Sequence, residues 1–172
     1  MLSRAMRYLS RILGFAILAC GASVAFGNDP LAALSSDAVR LAQCMKALDA
    51  PCVIALSDVN SYQLLASPDS HFAQSQSRFF DAMRRAGRQY TDFRVSAARE
   101  IFSSEDRDYA FVPYVETLEI NGQASEYKAY FVATSADGGD SWTFFDGRHI
   151  TPANIRQIIP SYSGQLLPPV TP

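Results

Sequence analysis

The sequence predicts an α+β fold in which N-terminal helices pack on a curved antiparallel sheet. Three observations carry this. An apolar stripe runs through Leu34, Ala38, Leu41, Met45 and Leu48 in steps of four and three, the spacing of one helix face. From Tyr90 onward the period changes to the alternation of strands. Two hairpin signals, Asn121-Gly122 and the glycine-rich Asp137–Asp140, then divide the second half into returning strands. Helices followed by a meander is an α+β order.

Taken in order, residues 1–27 read as an export signal. Arg4, Arg7 and Arg11 precede the apolar run Ile12–Ala19, and Ala25-Phe26-Gly27 supplies small residues for cleavage after Gly27. The apolar run is short of the roughly 20 residues a membrane span needs. A second reading takes Ile17-Leu18-Ala19-Cys20 as a lipobox, anchoring a lipoprotein through Cys20, although Leu18 is bulky there and the following residues stay apolar. Removal of residues 1–27 lowers Lys+Arg from 15 to 12 against 17 acidic residues, taking the net charge from −2 to −5. An acidic chain without a basic cluster argues against nucleic acid or an anionic membrane surface as partner.

The remaining residues, 28–172, read as a single domain. Asn28–Leu34 reads as a lead-in and Ser35 or Ser36 as the cap of the first helix, with Asp37 in its first turn and Pro51 ending it. Cys44 and Cys52 flank that helix end; in an oxidising compartment they suit a disulfide, and two buried free thiols are the other reading. Residues 52–65 read as short helical segments broken near Asn60-Ser61, and Ser67–Ser70 as a turn. The next helix carries Phe72, Gln76, Phe79, Phe80 and Met83 on one side and closes at Gly87, its three phenylalanines expected against a sheet.

Tyr90–Val95 alternates as a strand. Tyr109–Ile120 is a longer strand with Pro113 inside, which implies an edge or a bulge. Glu126–Thr134 returns, Trp142–Phe145 returns again, and Thr151-Pro152 opens a short helix bearing Ile155, Ile158 and Ile159 before Pro160. The tail Leu166-Leu167-Pro168-Pro169 reads as extended. Ser135-x-Asp137-x-Gly139-x-Ser141-Trp142 resembles the Asp-box hairpin familiar from sialidases, where such boxes lie away from the active site. The resemblance implies a well-made turn and no catalysis.

The order of elements is similar to the cone-shaped NTF2-like superfamily, which includes SnoaL-like and ketosteroid-isomerase-like proteins. Lys46–Asp49, Val112-Pro113-Tyr114, Ser135–Asp146, Ile158-Ile159-Pro160 and Leu167-Pro168 resemble an uncharacterised bacterial family of small NTF2-like proteins. Asp140 stands where that family commonly has Lys. This family supplies no activity to carry over.

The chemistry-bearing residues are sparse. His71 and His149 are far apart and read as exposed. There is no metal-ligand spacing, P-loop, dinucleotide fingerprint or nucleophile elbow, so neither metal nor cofactor is expected. If the cone is right, Phe72, Tyr114, Glu116 and Tyr130 are its pocket candidates. Glu116 beside tyrosines in an apolar cavity suits acid–base work through a desolvated carboxylate. The competing reading is an exposed Glu116 paired across strands with Lys128. No catalytic residue is assigned. The expected role is an exported binding or interaction domain for a small apolar ligand or a protein partner, with a homodimer through the sheet left open. A small cofactor-free enzyme of isomerase- or lyase-like chemistry is the alternative.

Overall fold

The computed structural model describes residues 29–65, 71–164 and 170–171. The proposed leader with Cys20, the turn at 67–70 and the tail at 166–169 lie outside the described residues. Helix α1 (Pro30–Ala47) is followed by α2 (Ala50–Ala55), α3 (Val59–Leu65) and α4 (Phe72–Arg85). Five strands follow: β1 (Gln89–Val95), β2 (Ile101–Ser104), β3 (Arg107–Ile120), β4 (Gln123–Ser135) and β5 (Thr143–Asp146). A 3₁₀ turn over Gly147–His149 and the short α5 (Ile155–Ile158) close the chain. The fold class is thus as expected: helices on a curved antiparallel sheet.

The sheet runs β1-β3-β4-β5, and β2 also pairs with β3. The long β3 therefore serves two neighbours on one edge, β1 along Tyr114–Glu119 and β2 along Arg107–Ala110. Pro113 falls in the gap between them, where its missing N–H removes no ladder bond to β1 or β2. The sequence implied an edge or bulge at this proline; it sits instead in a central strand, at a local opening. Asn121 and Gly122, both at positive φ, make the tight β3–β4 turn expected of them.

Several helix boundaries differ from the sequence reading. The first helix begins at Pro30, with the Asp29 carboxylate accepting from Leu31 N at 3.0 Å, because Asp-Pro is itself a cap and first-turn pair. Ser35 and Ser36 lie inside α1. The helix ends in a left-handed Leu48, and Pro51 stands in the first turn of α2, capped by Asp49. The break between α2 and α3 falls at 56–58 rather than near Asn60, because Asp58 caps α3 through Ser61 and the chain there pairs with β5. The bridge is made by Phe144 N donating to Leu56 O and Asp58 N to Phe144 O.

Two cores result, one on each face of the sheet. Leu34, Ala38, Leu41, Met45, Phe80 and Met83 from the helices meet Phe93, Val112, Tyr114, Phe131 and Phe144 on the concave face. On the other face Tyr109, Tyr130, Val132 and Phe145 are covered by Ile150, Ile155, Ile158, Ile159 and Tyr162. Strand alternation sorts them: 129, 131 and 133 point one way, 130 and 132 the other. The three phenylalanines of α4 do not form one sheet contact. Phe80 is 0 % exposed whereas Phe79 is 50 % exposed, since α4 packs on α2 and leaves its far side to solvent.

Cys44 and Cys52 form a disulfide across the α1–α2 corner, with their Cα atoms 5.8 Å apart. The β4–β5 hairpin is held from within. Ser141 N and Oγ donate to Asp137, Ser135 Oγ donates to it at 2.7 Å, and Gly139 N donates to Ser135 Oγ at 2.9 Å. These bonds hold the Asp137 carboxyl down at about 2.

Candidate functional site

The β3 alternation that buries Val112 also turns Tyr114 and Glu116 to the concave face. Glu116 is 3 % exposed. It lies opposite Tyr127, while Lys128 lies opposite Val115 and pairs with Glu126 at 3.6 Å. The exposed Glu116–Lys128 pair considered from sequence is therefore absent: the one-residue offset puts the two side chains on opposite faces.

The partner of Glu116 is Arg148. β5 ends at Asp146, whose carboxylate caps the following 3₁₀ turn by accepting from Arg148 N at 2.9 Å. That turn needs a glycine. A Cβ on Gly147 would stand 2.3 Å from the Tyr130 ring, so only a residue without one passes here. Arg148 is thereby folded back over β3. Its Nε and Nη2 donate to Asp146 at 2.8 and 2.5 Å, and its Nη1 donates to Glu116 Oε1 at 2.9 Å. The guanidinium also lies 5.9 Å from the Tyr114 ring centroid, within cation–π range.

Electrostatics follow from this packing. Burial raises the Glu116 carboxyl above the ordinary carboxylate range, with Asp146 adding to the rise; the charge and hydrogen bond of Arg148 offset part of it. Burial opposes the charge of Arg148, but hydrogen bonds and charge from Asp146 prevail and hold it protonated. Tyr62, Tyr90 and Tyr114 are all raised, burial first, and stay neutral phenols. Glu116 Oε2 is buried without a hydrogen-bond partner. Such an atom carries a desolvation cost that a well-filled core avoids.

Beside this cluster lies a cavity of about 220 Å³. Leu41, Met45, Val53, Phe79, Phe131 and Phe144 supply its apolar walls. Tyr62, Tyr90, Asp146, Arg148 and His149 supply polar groups, joined by Ser57 and Gln76. Of the residues expected in a pocket, Tyr114 and Glu116 come together beneath Arg148, beside the cavity rather than in its lining. Phe72 does not line the cavity; it stacks at 4.2 Å on Tyr62, which does. Tyr130 is on the opposite face, edge-on to Phe111, and burial pushes its phenol up to about 12. Grouping Tyr130 with Glu116 fails because Tyr130 lies opposite Pro113, one residue out of phase with Tyr114. His149 is exposed, as read from sequence, yet sits at the cavity. Asp146 and Arg148 were not picked out by sequence reasoning. The available signal was Asp-Gly-Arg directly after an apolar strand, which marks a capped turn but not where it points.

Among the described residues there is no cluster of three or more potential metal ligands and no helix long and apolar enough to cross a membrane. No protein-family model matches the chain, and no curated protein matches it. Among solved structures, the chain is similar to the crystal structure of a ketosteroid isomerase-like protein from Erwinia carotovora atroseptica SCRI1043, at 16% sequence identity and a TM-score of 0.45. That match covers 69% of this chain and 92% of the other.

Proposed function

We propose that the protein is an exported NTF2-like binding domain that holds a small, largely apolar molecule in the cavity beside Arg148, with no catalysis assigned. The observation that carries this reading is the cavity itself: about 220 Å³, with aliphatic and aromatic side chains on its walls and the Arg148–Asp146 ion pair among its polar lining. Its volume is below the roughly 300 Å³ at which drug-sized sites begin, so the ligand is small. The order of helices and strands and the curve of the sheet support the cone assignment. The arginine-bearing leader and the Cys44–Cys52 disulfide support export, with lipid attachment at Cys20 as the competing route. A protein partner is the other interaction reading. The face away from the helices is covered at one end, while Glu126 and Lys128 leave its other end exposed, where a homodimer through the sheet would form.

A second reading, a small acid–base enzyme, is favoured by one observation: a desolvated carboxylate with a partnerless oxygen. Arg148 stands against it, because Glu116 is occupied by an ion pair in this state. The test is a titration of the mature chain with acetophenone, a small neutral aromatic, followed by NMR. Shifts centred on Ser57, Gln76 and His149 are expected. No perturbation there up to the solubility of the probe sinks the reading.

A further inference from the structure

Resting on that reading, we infer that the ligand is a small carboxylate with an apolar or aromatic body, bound at Arg148 with uptake of one proton by Glu116. The argument begins with donor counting. A guanidinium offers five N–H groups. Asp146 takes the Nε and one Nη2 donor and Glu116 takes one on Nη1, leaving an N–H on each terminal nitrogen. These two are the edge of the guanidinium left open to a further carboxylate. Arg148 lines the cavity and keeps 38 % of its side chain exposed, so the edge is reachable.

Charge then decides what accompanies the ligand. Two carboxylates face one guanidinium, a net −1 when both are ionised. A further anion is repelled unless one negative charge is removed. Glu116 is the group able to do this. It is buried, Oε2 has no partner to lose, and its carboxyl is already raised by burial. Asp146 by contrast already accepts three donors of Arg148. A proton from solvent adds to Glu116, the Glu116 bond to Nη1 weakens, and the ligand carboxylate accepts from the two free N–H groups of Arg148. The one bond formed is the O–H of Glu116, its proton released by the buffer acid, and the site carries −1 before and after.

The groups facing Glu116 and the cavity from the packed elements are Tyr114 from β3, Tyr90 from β1, Tyr62 from α3, and Asp146, Arg148 and His149 from the end of β5 and its turn. The cavity-lining residues of α1, α2 and α4 carry no charge. Of the facing groups, His149 is the imidazole, and it serves as the control for the site of proton uptake.

The experiment is calorimetric titration of the mature chain with benzoate in two buffers of different ionisation enthalpy, beside acetophenone as the neutral analogue. Expected are uptake of about one proton with benzoate, none with acetophenone, and benzoate affinity falling about tenfold per pH unit once free Glu116 is ionised. Glu116→Gln should bind benzoate without proton uptake and without that pH dependence. His149→Gln, whatever its benzoate affinity, should retain about one proton taken up per benzoate bound. Acetophenone binding without benzoate binding, or benzoate binding with no proton, overturns the inference and leaves the cavity reading standing. Loss of uptake in His149→Gln also overturns it. Failure of both probes removes the cavity reading and this inference together.

Discussion

Replacing Arg148 with Met removes the only cation among the described residues in contact with Glu116 and Asp146 while keeping a side chain to cover Tyr114. Breaking a fully buried ion pair from one side costs about 3–5 kcal/mol. The Arg148 side chain is 38 % exposed, so solvent shares the load and the expected loss at pH 8 is nearer 2–3 kcal/mol. The loss should depend on pH, with a definite sign. Without Arg148, burial and Asp146 both push the Glu116 carboxyl further up, so the folded chain holds a proton the unfolded chain has released. Stability then falls as pH rises between the unfolded and folded values, by about 1.4 kcal/mol per unit, and the deficit shrinks below the ordinary carboxylate range. Urea unfolding at pH 5 and pH 8 reads this directly. Adding Glu116→Gln to Arg148→Met should recover much of the loss at pH 8, because the buried charge is gone. An Arg148→Met deficit equal at both pH values, or a double variant as unstable as the single one at pH 8, would show that Glu116 carries no uncompensated charge and refute the reasoning.

The remaining predictions concern the scaffold. Gly139→Ala sets a Cβ 2.5 Å from the Pro30 ring at a φ of +95°, whereas Gly138→Ala, also at positive φ, meets nothing within 4 Å. The first should lose about 1–3 kcal/mol more than the second in urea unfolding. Asp137→Asn should lower Tm at pH 7, and the gap to wild type should close as acid titrates the wild-type carboxyl: a lowered group stabilises above its ordinary 3.8 and loses that contribution as pH falls through about 2. Reduction of Cys44–Cys52, which closes a loop of sequence separation 8, should cost about 2.5 kcal/mol in the chain-entropy picture, measured by unfolding with and without dithiothreitol. A Cys44→Ala/Cys52→Ala variant indifferent to reductant is the control.

The broad fold was legible because its signals are local and periodic. The stripe of α1 shows a helical buried face, and Asn121-Gly122 shows a hairpin, from residues adjacent in sequence. Boundaries were less so, because competing caps sit close together: Asp29-Pro30 outranks Ser35 and Ser36, and Pro51 opens a helix instead of ending one. Phe79 and Phe80 read as one surface, but which is buried depends on where α2 lies, and nothing near them encodes that. The site was half legible for the same reason. Alternation along β3 links Tyr114 to Glu116 without knowledge of any neighbour. Whether Tyr130 joins them depends on the β3–β4 register, which sequence left undetermined. Arg148 meets Glu116 across 32 residues through a turn that crosses the sheet's end.

The bond between Asp37 and Trp142 gives this chain a built-in clock. Asp37 Oδ2, midway along α1, accepts from Trp142 N at 3.0 Å across 105 residues of sequence. Trp142 is the chain's single tryptophan, is 1 % exposed, and donates its indole N–H to Gly139 O. Its ring enters an apolar environment only once the hairpin and the first helix have met. Intrinsic fluorescence therefore reports the closure of this 105-residue loop. Such late, non-local contacts set the pace of folding. The emission of one residue thus times the moment at which the concave core, and with it the cavity, comes into being.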